Sequence, residues 1–275
     1  MIPNTLTIAG VDPSGGAGIL ADIKTMSALG AYGMAVVAAL TAQNTQAVTA
    51  ISRIPADFVA AQIDTIFGDI RVDAVKIGML GQKDVIHAVA QRLTHWRPAH
   101  LVVDPVMVAK SGDRLLEPEA IAELREALLP LATVLTPNLP EAGVLLNTSS
   151  PQTLKEMRRA AEKLRRLLSD SAENWIFLKG GHLPGSETID ILYDGDQMIE
   201  LPGRRIDTPN THGTGCTLSA ALAALLPQHN SMPDAARLAK AYLVSAIGHS
   251  GDLQVGHGHG PVQHFFNWWP APEND

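Results

Sequence analysis

Short apolar runs alternate along the whole chain with longer stretches of helical periodicity. Leu6–Ala9 is an unbroken apolar run of strand length, followed by the glycine-rich Gly10–Gly16. Gly18–Leu29 places Ile19, Ile23, Met26 and Leu29 at spacings of three and four, which predicts a helix with one apolar face. Met34–Leu40 predicts a second buried strand. Ala56–Phe67 predicts a helix with Phe58, Ile63 and Phe67 on or near one stripe. Further strands are predicted at Ala74–Ile77, Leu101–Val103, Val134–Leu135 and Trp175–Leu178, with helices at Asp84–Leu93 and Pro118–Leu128. Thr188–Tyr193 and Gln197–Leu201 flank Asp194-Gly195-Asp196, a hairpin signal. Leu145–Pro151 reads as a polar surface loop. Two helices, Gly215–Leu226 and Pro233–Ile247, close the pattern.

Repeated strand–helix units predict an α/β fold with a parallel sheet covered on both faces. No repeat, linker or low-complexity tract divides the chain, so 1–275 is expected to be a single domain. Ligands in such sheets bind beyond the carboxyl ends of the strands, which makes the loops there the place to look for chemistry. A chain of 275 residues, 46% hydrophobic and 18% charged, can bury a core without disulfides and is not disordered. Its single cysteine, Cys216, allows no intramolecular disulfide. A net charge of -7 without a basic stretch argues against nucleic acid as a partner. The first residues lack the basic start and apolar run of a signal peptide. No run approaches the roughly 18 apolar residues of a membrane span. A cytoplasmic protein with no membrane partner is therefore expected.

No GxxxxGK[ST], no GxGxxG after the first strand and no GxSxG occur, which argues against P-loop, dinucleotide and serine-elbow chemistry. The most informative segment is Thr211-His212-Gly213-Thr214-Gly215-Cys216, directly before an apolar helix. Glycines there let main-chain amides approach an anion, and the helix dipole faces the same charge. A phosphoryl group in flight spreads charge over three oxygens, and fixed donors lower its barrier. The bland alternative is a glycine turn with Thr214 as N-cap. Cys216 falls in the first helical turn, where the dipole is expected to lower the thiol pKa from ~8.5. A thiolate there would accept the proton of an attacking hydroxyl. Its alternative is a small buried apolar residue.

The loop Ala9–Gly18 leaves room for a ligand against bare backbone, and Asp22 follows on the next helix. Gln43, after the second strand, carries a carboxamide that donates and accepts at once. That suits the edge of a heteroaromatic ring, although a polar loop residue reads the same way. Asp104-Pro105-Val106-Met107 and Asn138-Leu139-Pro140-Glu141 each follow a strand. A carboxylate at both places suits Mg²⁺ held mostly through water against phosphates, while each alone also reads as a helix cap. Lys179, in Lys179-Gly180-Gly181-His182, is placed to border a nucleotide, and Lys110–Asp113 reads as a flap. The tail carries His257, His259 and His264. The loop Gly256–Gly260 has no cysteine or acidic ligand beside it, so no metal site is predicted there. Trp268-Trp269 is expected to pack on the domain or on a partner subunit.

These segments, in this order, resemble the ribokinase superfamily, and within it the hydroxymethylpyrimidine/phosphomethylpyrimidine kinase family of thiamine biosynthesis. The resemblance runs from Leu6 to about Trp269. It rests on Thr7–Asp22, Ala42-Gln43-Asn44, Lys76–Leu80, Asp104–Met107, Lys110-Ser111-Gly112, Thr136–Glu141 and Thr211–Cys216. It implies a three-layer α/β/α sandwich around a mainly parallel sheet, usually in a homodimer. It also implies ATP-dependent phosphorylation of 4-amino-5-hydroxymethyl-2-methylpyrimidine to the monophosphate and then to the pyrophosphate, with Mg²⁺. Carried onto this chain, the resemblance gives Gln43 the pyrimidine edge. Gly10, Ala17, Asp22, Met79 and Val106 become the acceptor pocket, and Asp104 and Glu141 organise Mg²⁺ and phosphates. Lys179, with Asn138 and Thr211, lies at the nucleotide. The amides of Gly213, Thr214, Gly215 and Cys216 form the anion hole. Most ribokinase relatives carry Asp where this chain has Cys216. The pyrimidine kinases and some pyridoxal kinases carry Cys, which narrows the branch and favours Cys216 as the proton acceptor. Three rival readings remain: a pyridoxal or pyridoxine kinase, a non-catalytic vitamin-binding sensor, and a redox switch at Cys216. A fused second thiamine enzyme is not expected.

Overall fold

A computed structural model of the chain describes residues 1–108, 115–171 and 173–269. Its strands are β1 (Asn4–Val11), β2 (Tyr32–Gln43), β3 (Val48–Arg53), β4 (Ala74–Ile77), β5 (Leu101–Val103), β6 (Val134–Leu135), β7 (Trp175–Leu178), β8 (Glu187–Tyr193) and β9 (Met198–Arg204). They form one nine-stranded sheet in the order β3-β2-β1-β4-β5-β6-β7-β8-β9. From β2 to β7 the neighbours pair in parallel, while β3, β8 and β9 join the two edges through antiparallel pairs. Parallel strands are covered on both faces, which is why their sequences are short, unbroken apolar runs. Even β5 divides its side chains, with Leu101 and Val103 facing one layer and Val102 the other.

The helices are α1 (Gly18–Ala28), α2 (Ala56–Phe67), α3 (Lys83–Trp96), α4 (Pro118–Glu123), α5 (Leu139–Leu146), α6 (Leu154–Arg165), α7 (Thr214–Leu225) and α8 (Met232–Gly248). One face of the sheet packs on α2 to α6 through residues such as Val59, Ile63, Val85, Val89, Ala142, Leu145 and Leu164. The other packs on α7 and α8, with α1 held to α7 where Met26 meets Ala220 and Ala224. The result is the expected three-layer sandwich. From Thr217 to Leu225 every residue of α7 is buried, because sheet, α1 and α8 surround it. That explains a helix apolar on all sides. Leu218 and Leu222 there each contribute roughly 2 kcal/mol of burial.

The structure adds three elements to those predicted. β3 is an edge strand whose residues are mostly exposed, so it carries no apolar alternation. α5 is only eight residues long, and α6 is polar except for Leu154, Met157, Ala160, Ala161 and Leu164. Both announce themselves by their caps. Asn138 and Glu141 form a reciprocal capping box, and Thr153 accepts from the amide of Glu156. The predicted helix 118–128 ends as α4 at Glu123 and continues in a wider π turn, Leu124–Leu128. The predicted hairpin is β8–β9, closed by Asp194 Oδ1 accepting from the amides of Asp196 and Gln197 at 2.8 and 2.7 Å. The Lys110–Asp113 flap lies outside the described residues. Among the described residues no helix is long and apolar enough to cross a membrane.

Strand order reverses at β1, which has β2 on one side and β4 on the other. The carboxyl ends of β1, β2, β4, β5, β6 and β7 therefore open onto one rim. That reversal point is where a ligand crevice forms in sheets of this type.

Candidate active site

The rim encloses a cavity of about 500 Å³. Gly10 reaches it from the end of β1, Ala17 from the loop that follows, Gln43 from the end of β2, Met79 from beyond β4, and Asp104 and Val106 from beyond β5. Asn138 and Glu141 come from the start of α5, Lys179 from beyond β7, and Thr211, Gly213, Thr214, Gly215 and Cys216 from the start of α7. Every residue given a role by resemblance, Asp22 excepted, therefore meets the others at one place.

Asp22 is a correction. It is fully buried behind the wall, where its carboxylate takes Lys76 Nζ at 2.8 and 3.0 Å and Thr7 Oγ1 at 2.6 Å. A carboxylate held by an ammonium with no solvent contact is a structural anchor, not a pocket lining. The signal for it was Lys76, a lone charge inside the apolar strand Ala74–Ile77.

Gly213 caps α7 with φ at 76°. A side chain there would be strained, and its Cβ would overlap the carbonyl oxygen of Gly16. Thr214 is thus the first helical residue and not the N-cap. The first bond of the helix runs from Thr217 N to Gly213 O at 2.8 Å. Among the described residues nothing accepts from the amides of Gly215 and Cys216, so the helix opening presents free donors to the cavity.

Two residues without an assigned role hold this opening in place. Asp12 accepts from the Ser14 and Ala17 amides at 2.9 and 3.0 Å, and its Oδ2 lies 2.7 Å from His212 Nε2. Burial pushes the Asp12 carboxyl up, but the His212 and Ser14 donors outweigh it and hold the group below its usual range. The loop after β1 is thereby stapled to the loop before α7, across 200 residues of chain. Asp12 sits inside the glycine-rich loop and His212 inside the most informative segment, so both were visible without being separable by role.

The opposite side of the cavity carries alternating charges. Lys179 Nζ lies 2.8 Å from Asp104 Oδ1 and 3.9 Å from Glu141 Oε2. Thr136 Oγ1 donates to Asp104 Oδ1 at 3.2 Å. Burial alone would lower Lys179, but Asp104 and Glu141 hold it above its usual range. Burial, with Asp104 adding to it, pushes Glu141 up to about 7 against the pull of Lys179. Negative charge is thus undercompensated here, which suits an added cation. Among the described residues no group of three or more His, Cys, Asp or Glu could hold a metal ion. Two hard oxygen donors fit Mg²⁺ provided that water and phosphate oxygens complete its shell. Asn138 and Glu141 are also the capping box of α5, so their bland reading as a helix cap is realised on the same wall.

Cys216 is half-buried, and its thiol departs from expectation. Burial pushes it up to about 11, with Asp22 and Asp104 adding to the rise and Lys76 and the Gly18 amide opposing it. Burial is the largest contribution, and it outweighs Lys76 and the Gly18 amide. At the far end Gln43 Oε1 lies 3.2 Å from Thr41 Oγ1, itself 2.9 Å from Val11 O, which orients the carboxamide. In the tail, His264 is buried against Thr217 Oγ1 at 3.1 Å, and His257 and His259 are exposed. Trp269 stacks on Phe265, yet Trp268 and Trp269 remain largely exposed.

A family model described as phosphomethylpyrimidine kinase matches residues 12–263. The chain belongs to that family. It is 53% identical over 268 residues to the hydroxymethylpyrimidine/phosphomethylpyrimidine kinase of Escherichia coli (strain K12), covering 97% of this chain and 98% of that protein. The crystal structure of phosphomethylpyrimidine kinase from Clostridium difficile 630 superposes with a TM-score of 0.78 at 40% identity, covering 89% and 99% of the two chains. An ADP complex of Bacillus subtilis pyridoxal kinase superposes with a TM-score of 0.86 at 37% identity, covering 96% and 98%. A phosphomethylpyrimidine kinase and a pyridoxal kinase thus share the fold of this chain.

Proposed function

We propose that this kinase transfers the γ-phosphoryl group of ATP to the hydroxymethyl group of 4-amino-5-hydroxymethyl-2-methylpyrimidine, and then to the resulting monophosphate. The observation that carries the reading is the open helix start of α7, whose free amides share a cavity with the Cys216 thiol and the Lys179–Asp104–Glu141 group. Gln43 reads the polar edge of the ring, and Gly10, Ala17, Met79 and Val106 shape the space around it. The hydroxyl oxygen attacks the γ-phosphorus, its proton passes to the Cys216 thiolate, and ADP leaves. Because burial favours the thiol, only a small fraction is thiolate at neutral pH, so the rate rises as Cys216 ionises. The amides of Gly213 to Cys216 receive the phosphoryl oxygens, and Lys179, Asn138 and Thr211 border the nucleotide. Asp104 and Glu141 would hold Mg²⁺, which supplies charge neutralisation to the phosphates when bound. In the second round the same groups act on the phosphate monoester.

The reading includes a cytoplasmic homodimer built from one kinase domain over 1–275. Exposed Leu40 and Ile51 near the β3 edge support a covered edge, since a bare apolar edge strand invites pairing. The likeness to pyridoxal kinase keeps one second reading, phosphorylation of a pyridine alcohol. Incubation with ATP, Mg²⁺ and each alcohol, followed by mass analysis, separates them. Two phosphoryl groups added to the pyrimidine are expected, and addition to pyridoxal alone would overturn the reading.

A further inference from the structure

The segment Gly256-His257-Gly258-His259-Gly260 takes no part in the chemistry above, yet it bonds both to the turn after Gln43 and to the loop before α7. Gly258 N donates to Thr45 Oγ1 at 3.1 Å, and His259 N donates to Thr45 O at 2.9 Å. Thr45 lies in the turn between β2 and β3, two residues from Gln43. Asn44 closes that turn, its Oδ1 accepting from the amides of Gln46 and Ala47 at 2.9 and 3.0 Å. At the other end Gly260 O accepts from His212 N at 3.0 Å, and Pro261 bridges His212. His212 directly precedes Gly213, the cap of α7. Further on, His264 Nε2 stands 3.1 Å from Thr217 Oγ1 in the first turns of the same helix.

The glycines are demanded by closeness of approach. A Cβ on Gly258 would overlap Thr45 O and stand 2.9 Å from Gln46 N, all of it main chain that cannot swing aside. A Cβ on Gly260 would overlap Asn210 Oδ1 and stand 2.8 Å from its Cγ. Asn210 is next to Thr211 and donates from Nδ2 to Ser250 O at 3.2 Å. One short segment is therefore packed without slack between the turn that carries Gln43 and the loop that sets the helix opening.

We propose that residues 256–264 are a positioning strap that fixes the distance between Gln43 and the amides at the start of α7. The proposal rests on the roles given above to Gln43 and those amides. Neither Gly258 nor Gly260 lines the cavity, and both act through Thr45 and His212. A misplacement of about 1 Å at a reacting pair costs on the order of a hundredfold in rate. Gly258→Ala and Gly260→Ala are accordingly expected to lower kcat for pyrimidine phosphorylation roughly 10- to 100-fold, with KM for ATP within about twofold of wild type.

The test is steady-state kinetics on the full chain, with urea midpoints recorded for each variant. Asn210→Ala removes Oδ1 and Cγ and leaves Cβ, at 3.4 Å, as the nearest neighbour of the Gly260→Ala methyl. The double variant G260A/N210A is therefore expected to recover kcat to within about threefold of N210A alone, and a G260A urea midpoint that leaves the protein fully folded under assay conditions separates lost positioning from lost stability. Gly251→Ala, whose Cβ would meet nothing within 4 Å, is the silent control. Should G258A not fold, the G260A/N210A pair decides alone. An active wild type with unaffected kcat in G258A and G260A overturns the strap, and so does a double variant no better than G260A. A wild type that adds no phosphoryl group to the pyrimidine defeats the functional reading first, and the strap with it.

Discussion

Lys76→Met isolates the energetics of the pair behind the site. The Lys76 and Asp22 side chains each have 0% exposure, with Nζ 2.8 Å from Asp22 Oδ2. Asp22 holds the ammonium protonated against the penalty of burial. Removing Lys76 leaves a buried carboxylate with Thr7 as its remaining donor, and the expected cost is about 3–5 kcal/mol. Asp22→Leu leaves a buried ammonium and is expected to cost a similar amount. The double variant K76M/D22L leaves no charge behind. Its residual cost is the Thr7 hydroxyl, which loses its acceptor, about 1–2 kcal/mol. Non-additivity of several kcal/mol is thus the signature. Urea unfolding followed by fluorescence and circular dichroism supplies the midpoints, compared at a common m-value. A K76M cost below about 1 kcal/mol, or a double variant as costly as the two singles summed, would refute this reasoning.

Three further outcomes are expected. Cys216 is the only cysteine, and with its thiol at about 11, alkylation by iodoacetamide in the ligand-free protein should rise about tenfold per pH unit from pH 7 to 10. A plateau below pH 9 contradicts that. Lys179→Met strips Asp104 of its ammonium at 2.8 Å and is expected to lower kcat by about 10²- to 10³-fold with the fold retained, so a loss under tenfold rejects the role. His264 is held down to about 4 by burial, with Lys24 adding to the effect. The unfolded chain therefore binds the extra proton first, and this group's stabilisation, complete above pH 6.5, is lost as pH falls toward 4. It amounts to a few kcal/mol at most, since each tenfold difference in proton affinity between the folded and unfolded chain is worth about 1.4 kcal/mol. The stability difference between wild type and His264→Asn should shrink across that window, and a flat difference sinks the assignment.

The layer architecture was written locally. Each parallel strand contains an apolar run, and at least one helix separates it from the next parallel strand, so the period alone announces a covered sheet. The cavity wall was legible for a related reason. Residues at or just past the ends of parallel strands share one rim, and Gly10, Gln43, Asp104 and Lys179 all line the cavity there. The cap at Asn138 was readable as the alternative for its segment, whereas α5 is too short and α6, capped by Thr153, too polar for periodicity to reveal.

What only the tertiary structure decided is how charge is distributed among those residues. Asp12 pairs with His212, Asp22 with Lys76, and Asp104 with Lys179, each across 50 residues or more of chain. Nothing local selects those partners. The same is true of Cys216, for which a helix start predicts a lowered thiol and the surrounding protein raises it. A dipole follows from the position of a residue in its own helix. Desolvation depends on every segment that packs around it, and that sum exists only in the folded chain.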